Sequence, residues 1–213
     1  MKWLWMLLLA GTVGSLQAQY SLPEGFIVYS KGNDSQRTLY RVDVHPGDTP
    51  EQIAATERKI CEKGAIGDDI EGQISFDGKW LAFARTVAKT TKGKGNNDYH
   101  DYDKWEIYVV RIDGTLPAEP IRIGPGYFPS WSDDSDQKVK TLYYTDEKER
   151  CIRQVTIDDR GKVLKEGVLG VLPSDGYEGC TFAAPDGTYA AFRKSGMVPP
   201  TFSRVRWPAK MSG

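Results

Sequence analysis

Apolar and polar residues alternate with period two along most of this chain, in short runs separated by polar, glycine-containing breaks. That is the pattern of half-buried strands joined by turns. A hairpin-like unit recurs four times: FIVYS…TLYRVDV from Phe26, WLAFART…KWEIYVVRIDG from Trp80, TLYYTDEKERCIRQVTIDD from Thr141, and YAAFRKS…FSRVRW from Tyr189. With Tyr29, Phe83, Tyr144 and Phe192 as equivalent positions, the units follow one another at intervals of 54, 61 and 48 residues. Self-similarity on this scale implies one supersecondary unit repeated, each copy burying a face against its neighbours.

The turns repeat with the strands. Asp77-Gly78 and Asp186-Gly187 each separate two apolar runs, and Asp133-Asp134 holds the matching place after Trp131-Ser132. Asp and Gly together supply the positive φ angles of tight hairpins. Asp113-Gly114 and Asp159-Arg160-Gly161 close later hairpins. A unit therefore reads strand, turn, strand, variable loop, strand, turn, strand. Four antiparallel strands per unit predict an all-β fold, a β-propeller of about four blades. Phe83, Tyr144 and Phe192 are expected between neighbouring sheets, each burial worth about 1.5–3 kcal/mol. Helical signal is confined to Thr49–Lys63, with Asp48 or Thr49 as cap, Pro50 in the first turn and Gly64 as stop. The alternative there is an irregular outer strand plus a turn.

An open stack would expose strand edges, an aggregation hazard. Three resolutions stand side by side. The ring closes, with the strand near Phe26 completing the last blade; the stack pairs with a second copy or another protein; or the propeller is a shortened one. The chain ends soon after Arg204-Val205-Arg206-Trp207, in mid-blade, which favours an incomplete propeller or closure by N- and C-terminal strands.

Charge changes the picture by exclusion. Lys and Arg number 28 against 29 Asp and Glu, a net charge of −1. So balanced a chain carries no global field that would select nucleic acid or an anionic membrane. Residues 1–18 read as a signal peptide: Lys2, the apolar run Trp3–Ala10, then smaller residues up to Ala18. The competing reading is an uncleaved anchor, for which the apolar run is short. Residues 19–213 then form one exported domain, periplasmic or secreted, with no stable membrane span after cleavage. Export permits a disulfide. Cys151 with Cys180 is the preferred pair because they sit in adjacent repeats; three separate buried thiols, Cys61 included, is the equal alternative.

Candidate chemistry is sparse. Asp98, Asp101 and Asp103, in the polar stretch from Lys89 to Lys104, have oxygen ligands for Ca²⁺, but their spacing matches no EF-hand and a solvated loop is the plainer reading. No other cofactor is indicated. His45 and His100 are the only histidines, so one chain cannot build a multi-histidine metal site, and His45 beside Pro46-Gly47 reads as a turn residue. The Gly-x-Ser-x-Gly nucleophile motif and dinucleotide fingerprints are missing from residues 19–213. Binding is the more natural use. The segments leading into the innermost strands, Gly67–Gln73, Gly124–Trp131 and Ser174–Cys180, combine carboxylates with aromatics: Asp68, Asp69, Glu71, Tyr127, Tyr177 and Glu178. Such a face suits a peptide, a basic protein segment or a sugar. Plain turn chemistry is the structural alternative.

GQISFDGKWLAFAR (Gly72–Arg85) resembles the repeat of TolB-type, WD-like β-propellers, and FPSWSDD…TLYYTD (Phe128–Asp146) and TFAAPDGTYAAFR (Thr181–Arg193) resemble two further copies. Phe76 departs from the usual Pro, and such propellers mostly have six or seven blades. The resemblance implies protein–protein contact in the cell envelope: an exported, non-catalytic binding or scaffold module with a protein or peptide partner, or a homo-oligomer if the ring is open. The alternative is a propeller-type hydrolase or polysaccharide lyase, or a peptidase-associated propeller lacking its catalytic domain.

Overall fold

The computed structural model describes residues 24–33, 36–62, 67–86, 105–132, 138–146, 148–171, 177–183, 189–195 and 201–206, with side chains as far as residue 169. Fourteen strands and one short helix fall into four sheets taken in chain order. The first holds β1 (Gly25–Lys31), β2 (Thr38–Val44) and β3 (Arg58–Lys59), with the helix α1 (Pro50–Ala55) before β3. The second runs β4 (Asp69–Ile74), β5 (Trp80–Thr86), β6 (Trp105–Arg111), β7 (Ile121–Pro125). The third runs β8 (Tyr127–Ser132), β9 (Val139–Asp146), β10 (Cys151–Asp158), β11 (Val163–Val171). The fourth holds β12 (Tyr177–Ala183), β13 (Tyr189–Ser195) and β14 (Thr201–Arg206). All the pairings are antiparallel meanders, which is the blade construction.

The sheets pack on one another in sequence. β4 lies against β1, β2 and β8, and β12 lies against β8 and β9. These leading strands are the inner ones. No comparable packing joins the fourth sheet to the first among the described residues. β1 pairs with β2, Tyr29 opposite Tyr40. The strand around Phe26 thus belongs to the first blade rather than completing the last.

Two buried clusters fill the gaps between blades. Leu39, Ile60 and Cys61 from the first sheet meet Leu81, Phe83, Val110 and Ile112 from the second. Trp80, Ala82, Ile107 and Val109 from the second meet Trp131, Leu142, Tyr144, Val155 and Ile157 from the third. The expected aromatic wedges are in place: Phe83 and Tyr144 are 0% exposed. Tyr29 is half-buried; the Phe192 side chain lies outside the described residues. Period-two strands bury both faces in the second and third sheets because each of these lies between two others, and that makes the sheets depend on one another for stability.

The first Asp-Gly turn shows how the sequence punctuates the blade. Ser75 Oγ donates to Asp77 Oδ1 (2.7 Å) and accepts from Trp80 N (3.0 Å), while Gly78 takes φ 72° and donates its N–H to Ser75 O (2.8 Å). Asp77 Oδ2 also meets Lys140 Nζ of the third sheet at 3.0 Å. Burial alone would raise the Asp77 carboxyl, but Ser75, Lys140 and the Lys79 N–H together hold it below its usual value. Asp113-Gly114 instead opens a longer connection, in which Ala118 N donates to Ile60 O and the chain bridges to Cys61. Asp186-Gly187 lies outside the described residues, as does Asp133-Asp134.

The helix is shorter than the segment Thr49–Lys63. Thr49 caps it in a reciprocal capping box with Gln52, and Pro50 begins it. Thr56 ends it: its hydroxyl donates to Ile53 O and accepts from Asp43 N, which ties the chain to β2 and redirects it into β3. Both sequence readings of this segment therefore hold in part, a single helical stretch followed by an outer strand.

Candidate functional site

Three inner strands carry a β-bulge at one register. In β4 the pairing with β5 shifts between Ile70 and Gln73, and in β8 the pairing with β9 shifts between Tyr127 and Ser130. β12 has a shift at the matching place, between Gly179 and Phe182. A bulge frees backbone groups from the ladder and re-aims a side chain. Glu71 and Phe128 occupy the first bulged positions, and both adopt left-handed backbone, φ 59° and 54°, which is uncommon for residues other than glycine. The two bulges are joined: Phe128 N donates to Glu71 Oε2 at 2.8 Å. Burial pushes the Glu71 carboxyl up from 4.5 to about 7, with the Phe128 N–H acting in the opposite sense.

The other predicted acids are held differently. Asp69 is fully buried and receives two hydrogen bonds from Arg85, Nε to Oδ1 at 2.6 Å and Nη2 to Oδ2 at 2.9 Å. This fork is the strong form of ion pair. Arg85 Nη2 also reaches Glu62 O (3.3 Å) and Cys61 Sγ (3.4 Å). Asp68 Oδ1 accepts from Arg37 N at 2.8 Å, fastening the loop before β2 to the start of β4. Asp69 is thus a structural clamp rather than a ligand-facing group. Tyr127 requires the same correction. It is 1% exposed, packed in the second-to-third-sheet cluster with its ring edge-on to Phe128 at 4.8 Å. Gly126 (φ 150°) sits over the Tyr144 ring, where a Cβ would lie 2.6 Å from Cδ2, so the chain turns tightly and drives Tyr127 inward. Tyr177 and Glu178 begin β12, next to β8; their side chains lie outside the described residues. Of the four predicted residues whose side chains are described, Glu71 is the one on an inner strand with both a strained backbone and a perturbed carboxyl.

Cys151 is a free, buried thiol, so the predicted bridge to Cys180 is not made, and Cys61 is also free. This is the unbridged outcome for both. Burial pushes the Cys61 thiol up to about 11, which makes it a poor nucleophile. His45 is a turn residue: its N–H donates to Asp48 Oδ2 (2.7 Å) and its carbonyl accepts from Asp48 N (3.1 Å). Asp98, Asp101, Asp103 and His100 lie outside the described residues, as do residues 1–18. Among the described residues no group of three His, Cys, Asp or Glu side chains converges for a metal, and no helix is long and apolar enough to cross a membrane. Sequence reasoning passed over Arg85 and the Phe128 N–H. The signal for Arg85 was its place two residues after the conspicuous Phe83, on the same strand.

No family profile matches the sequence, and no curated protein does. Solved structures are similar in fold. A prolyl endopeptidase from a study of two such enzymes superposes with TM-score 0.51 at 17% identity, over 89% of this chain and 28% of its own. TolB from Acinetobacter baumannii gives TM-score 0.50 at 16% identity, over 87% and 40%. A thermostable family-43 glycoside hydrolase gives TM-score 0.52 at 12% identity, over 87% and 69%. The chain spans under half the length of the first two. With its four chain-ordered antiparallel sheets and these neighbours, the protein has the all-β fold of a β-propeller, TolB-like in architecture.

Proposed function

We propose that this protein is an exported, non-catalytic propeller module that binds a basic segment of a protein partner at the inner-strand face of its second and third blades. The observation that carries the reading is Glu71. It is a half-buried carboxyl on an inner strand, re-aimed by a bulge and raised to about 7. A buried acid of this kind gains when a Lys or Arg arrives, because the cation offsets the desolvation of the carboxylate. The likeness to TolB supports a binding propeller at the level of fold, and the signal-like residues 1–18 support export to a periplasm or beyond.

A second reading, a propeller-type hydrolase or lyase, draws on the same residue, since an acid near neutrality suits proton transfer. It weighs less because Asp69, the other acid of β4, is committed to Arg85.

A nona-arginine peptide titrated calorimetrically into the protein tests the proposal. Binding is expected in the micromolar range, weakened at least about tenfold by Glu71→Gln, a loss of about 1.4 kcal/mol. Equal affinity of Glu71→Gln and the parent for the peptide, or no binding at millimolar concentration, contradicts it.

A further inference from the structure

Four cations among the described residues are held in one way, each on a platform of an acid and an aromatic ring. In the second blade Arg85 forks onto Asp69 (2.6 and 2.9 Å) and lies over the stacked rings of Phe83 (5.2 Å) and Tyr108 (5.0 Å). On the same blade Arg111 forks onto Asp113 (2.7 and 2.9 Å) and lies over Trp80 (5.6 Å). In the first blade Arg41 pairs with Asp43 (2.8 Å) and lies over Phe26 (4.0 Å). Lys31 pairs there with Glu57 (2.8 Å) and lies over Tyr40 (5.3 Å), which stacks on Tyr29. Arginine recurs for a physical reason. A guanidinium is planar, so its edge forks onto a carboxylate while its face rests on a ring; an ammonium is compact, strongly hydrated and gains less from the ring.

Glu71 and Phe128 bring the same two parts together. They are the bulged residues of β4 and β8, joined by the Phe128 N–H on Glu71 Oε2. That bond fills one of the about four acceptor positions of a carboxylate. No Lys, Arg or His acts on Glu71 among the described residues. β8 carries no charged residue, Arg85 of β5 is spent on Asp69, and Lys31 of β1 and Arg41 of β2 are spent on Glu57 and Asp43. The carboxyls register the difference. Lys31 and Arg111 hold Glu57 and Asp113 below their usual values, whereas burial lifts Glu71.

We propose that Glu71 and Phe128 form an arginine-selective subsite, in which a partner's guanidinium forks onto the Glu71 carboxylate and lies on the Phe128 ring. This rests on the basic-segment reading above and names the side chain that reading leaves open. Glu71 supplies the attraction to any cation, and Phe128 decides arginine over lysine. The Phe128 ring is half-buried and edge-on to Tyr127 at 4.8 Å, so it is held in place before the cation arrives.

Calorimetry with nona-arginine and nona-lysine, equal in length and charge and at one salt concentration, tests the subsite. The parent should bind nona-arginine at least about tenfold more tightly. Phe128→Leu keeps the N–H that meets Glu71 but loses the ring. It should bring nona-arginine down to the affinity of nona-lysine and leave nona-lysine within about twofold of the parent. Phe128→Tyr should retain the preference. Circular dichroism verifies the fold of Phe128→Leu; should it unfold, Phe128→Gly, which suits φ 54°, takes its place with the same expectation. Equal binding of the two peptides by the parent, both weakened by Glu71→Gln, would overturn the subsite and leave the basic-segment reading standing. A preference that survives loss of the ring, or a loss that weakens both peptides alike, would overturn it too. Binding of neither peptide would defeat both.

Discussion

The platform of the second blade and that of the first use the same parts in two surroundings. Phe83, Tyr108 and Arg85 are roofed by the preceding sheet, and Arg85 is locked to a fully buried Asp69. Among the described residues no sheet roofs Tyr29, Tyr40 and Lys31, and the Lys31–Glu57 pair meets solvent, with the lysine 56% exposed. The difference teaches that in a stacked repeat a residue's energetic weight is set by what its neighbour blade supplies rather than by its own chemistry. An ion pair illustrates this well. In the interior, a lone partner left behind is costly, whereas on the surface solvent replaces it.

The largest expected effect follows directly. Asp69→Asn should destabilise the fold by about 3–5 kcal/mol, because Arg85 is left charged beneath the first sheet. Glu57→Gln in the open platform should cost far less, because solvent screens and replaces an exposed pair. Urea unfolding of the two variants checks this; equal losses would erase the distinction between the platforms.

Glu71 gives the next effect, and it depends on pH. Its folded value, about 7, lies above the usual 4.5. Between those values the folded chain keeps a proton that the unfolded chain has lost, so the Glu71 contribution to stability is full below pH 4.5 and falls as pH rises through 7. Glu71→Gln still accepts from Phe128 N and removes the titration. It should gain about 2–3 kcal/mol over the parent at pH 8 and nothing at pH 4. A constant difference across that range would contradict the assignment.

The smallest effect concerns Tyr144. Its hydroxyl is buried with no hydrogen-bond partner among the described residues, so Tyr144→Phe should change stability by less than about 1 kcal/mol, in the stabilising direction. A loss above that in thermal unfolding would mean that the hydroxyl is bonded in solution.

Much of this architecture was legible in the sequence. The four hairpins, the turn at Asp77-Gly78 and the wedges Phe83 and Tyr144 follow from period-two alternation and turn chemistry, which are local. Three features were not. The bulges at Glu71 and Phe128 break the alternation by one residue, so a reading that counts in twos puts Tyr127 on the wrong side. The Asp69–Arg85 fork joins residues sixteen apart whose meeting depends on the β4–β5 register. The short span of α1 depends on Thr56 meeting Asp43 on β2. In the candidate site, the residue types were readable in sequence; the division between clamp (Asp69), core (Tyr127) and raised carboxyl (Glu71) was not, because burial decides it.

Alanine at three equivalent positions, Ile27, Leu81 and Leu142, followed by urea unfolding, tests the central claim most directly. Leu81→Ala and Leu142→Ala should each lose about 2–5 kcal/mol and Ile27→Ala under about 1 kcal/mol. Similar losses at all three, or a small loss at Leu81 and Leu142, would contradict blades that take their stability from the sheet before them.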